Sequence, residues 1–137
     1  MAFKVINLAP GLDEFMCLRS KVGWVNPEPK VVKKSLDNSI FHVSVFSDSN
    51  LVGFGRVVGD GAMYFYIQDV AVEPSYQKRG LGKLVMNEIE LFIANAAASG
   101  ATVALLASAG KEKFYTQFGY VARTGNPLGL SMCKFVG

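Results

Sequence analysis

Histidine, cysteine and tryptophan are scarce in this chain: one His, two Cys and one Trp among 137 residues. A lone His42, with Cys17 and Cys133 far apart and in no CxxC spacing, supplies too few ligands for the common zinc sites, so no metal is expected. The same two cysteines cannot staple a disulfide scaffold and read as reduced, buried thiols of a cytoplasmic protein. Charge is also sparse. Only 18% of residues are charged, and 14 basic against 11 acidic residues leave a net +3. That balance, without a basic stripe interleaved with aromatics, argues against nucleic acid as a partner. No run approaches the ~20 apolar residues of a membrane span. The most apolar region, 91 to 98, is broken by Asn95, and MAFKVINLAP lacks the long apolar core of a secretion signal. Neither a Pro/Ser-rich linker nor a repeat interrupts the pattern, so residues 1–137 read as one cytoplasmic domain.

What is abundant is apolar periodicity. Half of the residues are hydrophobic. FKVINL (3 to 8) alternates as a strand and stops at Pro10-Gly11. Leu12, Phe15 and Met16 share one face of a helix over 12 to 22, and 30 to 36 suits a short second helix. IFHVSVF (40 to 46), LVGFGRVV (51 to 58) and MYFYIQDVAV (63 to 72) form an antiparallel meander, with Asp60-Gly61 as a turn. Leu81, Leu84, Val85, Ile89, Phe92 and Ala96 then recur at helical spacing up to Ser99-Gly100. ATVALLA (101 to 107) reads as a buried strand, parallel to 63–72 across the crossover helix. A short helix at 110 to 118 and closing strands at 120 to 123 and 132 to 136 complete an α/β (α+β) domain.

The stretch VEPSYQKRGLGKLV (72 to 85) sets an electrostatic problem. It places Lys78, Arg79 and Lys83 where a helix begins. The first turn of a helix already carries unpaired N–H groups and about half a positive charge. A bound phosphate removes that conflict, and Gly80 and Gly82, lacking Cβ, let its oxygens approach the backbone. The common nucleotide motifs do not fit. Val85 stands where GxGxxG needs a third glycine, and Leu84 follows Lys83 where a Walker loop needs Ser or Thr.

The pattern that fits is Q-x-x-G-x-G after a strand ending in DVAV. Gln77-Lys78-Arg79-Gly80-Leu81-Gly82 resembles the pyrophosphate loop of the GNAT superfamily of acetyl-coenzyme A dependent N-acetyltransferases. Phe114-Tyr115 followed by Phe118-Gly119-Tyr120 resembles that family's FY-x-x-x-GF/Y segment. The matching blocks cover residues 51 to 123. The resemblance implies the GNAT fold: a mixed, mostly antiparallel sheet of about seven strands flanked by about four helices, with one splayed parallel strand pair.

It also implies roles. Main-chain groups of Val70, Ala71 and Val72 would meet the pantetheine arm of acetyl-CoA, and amides of Lys78, Arg79, Gly80, Leu81, Gly82 and Lys83 its phosphates, with Gln77 tying the loop. Ala107 and Ser108 would line the opposite wall; the family often has Asn where the shorter Ser108 stands. Lys111 or Lys113 would reach the nucleotide end. Tyr115 would protonate the departing thiolate. For the base, family members often carry Glu or His at positions matching Tyr66 or Gln68, and this chain has neither. Asp69 is the only carboxylate on that strand, and strand alternation points it away from Tyr66 and Gln68 unless a bulge intervenes. Proton removal would then run through water positioned by Gln68.

The expected acceptor is a primary amine of a small molecule, attacking directly in a ternary complex. Phe15, Met16, Trp24, Tyr64 and Tyr66 are its candidate contacts, and they suit an arylalkylamine, with polyamines and peptide amines as other members of the class. YIQDVAVEPSYQKRGLGK also resembles plastid and cyanobacterial arylalkylamine acetyltransferases. Many members of the family are dimers, which allows a homodimer here. The competing reading is a module that binds acetyl-CoA with little turnover.

Overall fold

Residues 2–137 are described by a computed structural model. The first of two compact units ends at Leu106. It contains β1 (Lys4–Ile6), α1 (Leu12–Lys21), α2 (Pro29–Asp37), β2 (Phe41–Ser47), β3 (Asn50–Gly59), β4 (Tyr64–Val72), a 3-10 turn (Pro74–Tyr76), α3 (Leu81–Ala96) and β5 (Thr102–Leu105). The strands form one sheet in the order β1-β2-β3-β4-β5. The first three pairings are antiparallel and β4–β5 is parallel. This is the mixed, mostly antiparallel sheet that the sequence predicts, with five strands rather than about seven.

Local chemistry sets the element ends. The Gly11 N–H, left over at the start of α1, donates to the Glu14 carboxylate at 2.7 Å. Pro29 opens α2, where a missing N–H costs nothing. In the β3–β4 turn, Asp60 accepts from the N–H groups of Ala62, Met63 and Tyr64 at 2.9, 2.8 and 3.0 Å. Those bonds favour the ionised form and lower the Asp60 pKa below its ordinary value.

Alternation along β3 splits the core into two layers. Phe54 faces α1, its ring packed edge-on against Phe15 at 4.8 Å between centroids. Leu18, Val32, Leu36, Leu51 and Ala71 close that layer. Gly55 faces the other way, towards α3. A Cβ at Gly55 would lie 2.6 Å from Val85 Cγ1 and 3.0 Å from Ile89 Cδ1, so α3 rests directly on bare backbone. Val85, Met86 and Ile89 on that side are fully buried. Each such side chain contributes about 1.5–3 kcal/mol of burial.

The second unit, Ala107–Gly137, contains α4 (Glu112–Thr116). Phe114 packs edge-on against Tyr115 and Phe118, with centroids 5.0 and 5.4 Å apart. Arg123 donates to the Leu128 carbonyl at 2.8 Å. The strands expected at 120–123 and 132–136 are not formed, and beyond Leu105 none of the described residues joins a ladder. β propensity expresses fit against a neighbouring strand, and these segments have none. Met132, Phe135 and Val136 are accordingly exposed. The cysteines are exposed too, contrary to expectation. In α1 the buried positions are Phe15 and Leu18, and Cys17 falls on the other side of the helix; Cys133 lies in the segment without a strand.

Candidate active site

The site starts from the unequal lengths of two parallel neighbours. β4 and β5 pair from Tyr64↔Thr102 to Ile67↔Leu105 and no further. β4 continues to Val72 with β3 on one side only. The Glu73 N–H donates to the Val52 carbonyl at 2.8 Å, towards β3. Backbone direction alternates along a strand, so the N–H and C=O groups of Val72 and Val70 face the open β5 side. The Val72 carbonyl is taken there by the Gln77 side-chain amide at 3.0 Å, the loop tie expected of that residue.

A bulge lies beside this opening. β3–β4 pairing steps from Arg56↔Gln68 to Phe54↔Ala71, so Asp69 and Val70 together oppose Gly55. Asp69 takes the left-handed conformation, φ 56°. The bulge brings its side chain to the α1–α2 side, which corrects the simple alternation that would send it to α3. There Asp69 is buried, 3% exposed. Arg19 Nη1 donates to its Oδ1 at 2.5 Å, and Arg56 Nε to its Oδ2 at 2.9 Å. Gln68 Nε2 adds a bond to Oδ1 at 3.3 Å. Both carboxylate oxygens are therefore engaged by charged donors.

After β4 the chain makes its 3-10 turn and enters the glycine loop. Lys78 (φ 64°) and Gly80 (φ 83°) are both left-handed, and Gly80 is the N-cap of α3. Left-handed residues two apart are the backbone pattern from which anion nests, concavities of successive N–H groups, are built. No acidic residue occupies the first turn of α3. Among the described residues, no carboxylate lies within 4.0 Å of a Lys78, Arg79 or Lys83 nitrogen. Arg79 stacks over the Tyr76 ring at 5.0 Å.

On the α1–α2 side a cavity of about 130 Å³ is lined by Phe15, Arg19, Pro27, Val31, Val32, Ser35, Arg56 and Asp69. Of the expected acceptor contacts, Phe15 lines it but is core. Trp24 is half-buried under Arg19, 5.4 Å from the guanidinium, and Met16 packs on the same core. Tyr64 is exposed at the start of β4, and Tyr66 is half-buried. The first unit thus assembles Tyr66, Gln68, Asp69, Val70, Ala71 and Val72 with the loop from Gln77 to Lys83. Ser108, Lys111 and Tyr115 belong to the second unit. The Ser108 carbonyl accepts the Lys111 N–H at 2.9 Å, and burial raises the pKa of the Tyr115 phenol.

Arg19 and Arg56, which hold Asp69 and line the cavity, were passed over in the sequence reading. For Arg56 the signal was available: Arg56 in LVGFGRVV and Asp69 in MYFYIQDVAV are single charges inside apolar strands, and a buried charge requires a partner.

Residues 23–136 match the acetyltransferase (GNAT) domain family. The chain belongs to the GNAT family. A probable acetyltransferase of unknown function from meticillin-resistant Staphylococcus aureus is 32% identical, with a TM-score of 0.87 over 98% of this chain and 100% of that one. A GNAT family protein of Streptococcus pneumoniae is 25% identical, with a TM-score of 0.77 over 97% of this chain and 98% of that one. The uncharacterized N-acetyltransferase ycf52 of Pyropia yezoensis is 34% identical over 114 residues, which are 80% of this chain and 64% of the relative. The chain thus spans less than two thirds of that relative's length. Among the described residues, no helix is long and apolar enough to cross a membrane.

Proposed function

We propose that this GNAT domain transfers an acetyl group from acetyl-CoA to a primary amine of a small molecule, by direct attack in a ternary complex. One observation carries the reading. A glycine loop with left-handed Lys78 and Gly80, whose three cations have no carboxylate partner among the described residues, follows, after one 3-10 turn, a strand whose edge is unpaired beyond Ile67. These residues fit coenzyme A. The amides of Lys78 to Lys83 would hold the diphosphate, and the N–H and C=O of Val70 with the N–H of Val72 the pantetheine arm. Lys111 would meet the nucleotide end, and Ser108 the opposite wall.

Bound there, the donor supplies an activated thioester. The chain supplies positioning, an oxyanion donor and a proton. The Val70 N–H faces the opening and would hold the developing oxyanion. Tyr115 would give its proton to the leaving sulfur, and its burial keeps the phenol protonated as a donor. The acceptor must lose a proton first, because an alkylammonium has a pKa near ~10. Gln68 would hold the water that carries it away; Asp69, with both oxygens engaged, serves as the anchor of the bulge. An aromatic amine would meet Trp24 and Tyr66, whereas Tyr64 lies at the end of β4 away from the opening.

The engaged carboxylate favours one other reading, a domain that binds acetyl-CoA without turnover. Two measurements separate them. Calorimetry with coenzyme A should show saturable binding that Gly82→Asp abolishes; unchanged affinity in the variant refutes the loop assignment. Thiol release from acetyl-CoA with arylalkylamines, polyamines, amino acids and peptide N-termini should show turnover with at least one class. Binding with no release from any of them leaves the binding domain.

A further inference from the structure

The cavity beside the bulge carries a charge that the acceptor has to match. Its lining holds two guanidiniums, Arg19 and Arg56, against one carboxylate, Asp69, a net of one positive charge in a mostly apolar recess. Neither arginine is saturated. Arg56 spends four of its five N–H groups, on Asp69, the Ser35 carbonyl and the Ser39 and Ser35 hydroxyls. Arg19 spends three, on Asn26, Asp69 and the Val25 carbonyl. The remaining N–H groups sit on planar forks, a geometry that favours carboxylate oxygens.

We infer that this cavity receives the carboxylate of the acceptor, so that the substrate class is amino acids rather than simple amines or polyamines. The inference rests on the acetyl-transfer reading and narrows it. Size agrees: about 130 Å³ is room for roughly four waters, enough for a carboxylate and a short apolar stem against Phe15, Pro27, Val31 and Val32. Position agrees as well. Asp69, one wall of the cavity, immediately precedes Val70, whose N–H faces the β4–β5 opening. The cavity and the opening thus flank the same bulge, and the amine of an amino acid, on the carbon next to its carboxylate, would sit on that side of β4 when the arginines hold the carboxylate. A polyamine would bring further positive charge against the two guanidiniums, with one carboxylate to offset it. The net positive field also eases loss of the ammonium proton, which matters on a strand whose one carboxylate is already engaged.

The test uses the intact chain and matched pairs: phenylalanine with phenethylamine, tryptophan with tryptamine, leucine with isopentylamine, and spermidine alone. Thiol release should give kcat/KM at least tenfold higher for each amino acid than for its decarboxylated partner. Calorimetry in the presence of coenzyme A should show the amino acid binding as well. Val31→Trp, a change at an exposed α2 position on the cavity wall, should weaken amino-acid binding at least tenfold and leave coenzyme A affinity unchanged. Parity within the pairs, preference for the amine or for spermidine, or unaltered amino-acid binding in Val31→Trp overturns the proposal. If no amine is acetylated, the acetyl-transfer reading fails and the calorimetric comparison decides this one alone. Amino-acid binding lost in Val31→Trp supports the cavity, and no amino-acid binding by the unmutated chain refutes it.

Discussion

Arg56 reaches across from β3 to hold Asp69 on β4, Nε to Oδ2 at 2.9 Å, and Arg19 closes the same carboxylate from α1. The pair spans the bulge that turns Val70 towards the open edge of β4. Asp69→Asn tests what the charge does, because Asn tolerates the left-handed backbone that residue 69 adopts. Removing one partner of a buried ion pair costs about 3–5 kcal/mol, so thermal unfolding should move markedly lower. Residual turnover should keep its pH profile. Unchanged stability with a displaced pH–rate inflection would make Asp69 the base instead.

Gly55 gives a second handle on the same geometry from the opposite face. Its missing Cβ is what admits Val85 and Ile89, and α3 carries the glycine loop at its N-terminus. Gly55→Ala places a methyl 2.6 Å from Val85 Cγ1, so the Val85 side chain or α3 itself has to shift. Overpacking of this kind costs about 1–3 kcal/mol. The distinctive outcome is a loss of coenzyme A affinity alongside the stability loss. A destabilised variant with full affinity would separate the loop from the packing of α3.

The sheet from β1 to β4 and the helices were legible because hydrophobic period changes cleanly from 2 to 3.6 at the glycine loop. The loop itself was legible because its chemistry is local: glycines, cations and a helix start within seven residues. The bulge was not, since a one-residue register shift leaves no trace in a strand's own sequence; it follows from Arg56, Gly55 and Asp69 meeting across two strands. The closing strands were overread for the converse reason. YVAR and MCKFV have strand composition, and composition does not supply a ladder partner.

Asp60 makes stability depend on acid. Its pKa in the folded chain lies below the ordinary 3.8, chiefly through the N–H groups of Tyr64, Ala62 and Met63. A depressed carboxylate stabilises the fold at pH values above its unfolded pKa, and the contribution fades as pH falls through the folded one. Asp60→Asn keeps an acceptor oxygen and removes the charge. The variant should melt below the parent at neutral pH, and the gap should close below about pH 4. A gap that persists unchanged into acid would trace the loss to shape rather than charge.

Tyr115 offers the test of the proton donor. Burial disfavours the phenolate, so its pKa is raised above the ordinary 10.0 and the hydroxyl stays protonated through the neutral and mildly alkaline range. If Tyr115 delivers the proton to the leaving sulfur, Tyr115→Phe should lower kcat by about 10²–10⁴-fold, the usual worth of general acid catalysis. Coenzyme A affinity should barely change, because Phe keeps the ring that packs against Phe114. The parent's rate should hold well into alkaline pH, where an ordinary tyrosine would already be losing its proton. A Phe variant with undiminished kcat removes Tyr115 as the acid. A rate loss matched by an equal loss of donor affinity would assign the hydroxyl to binding.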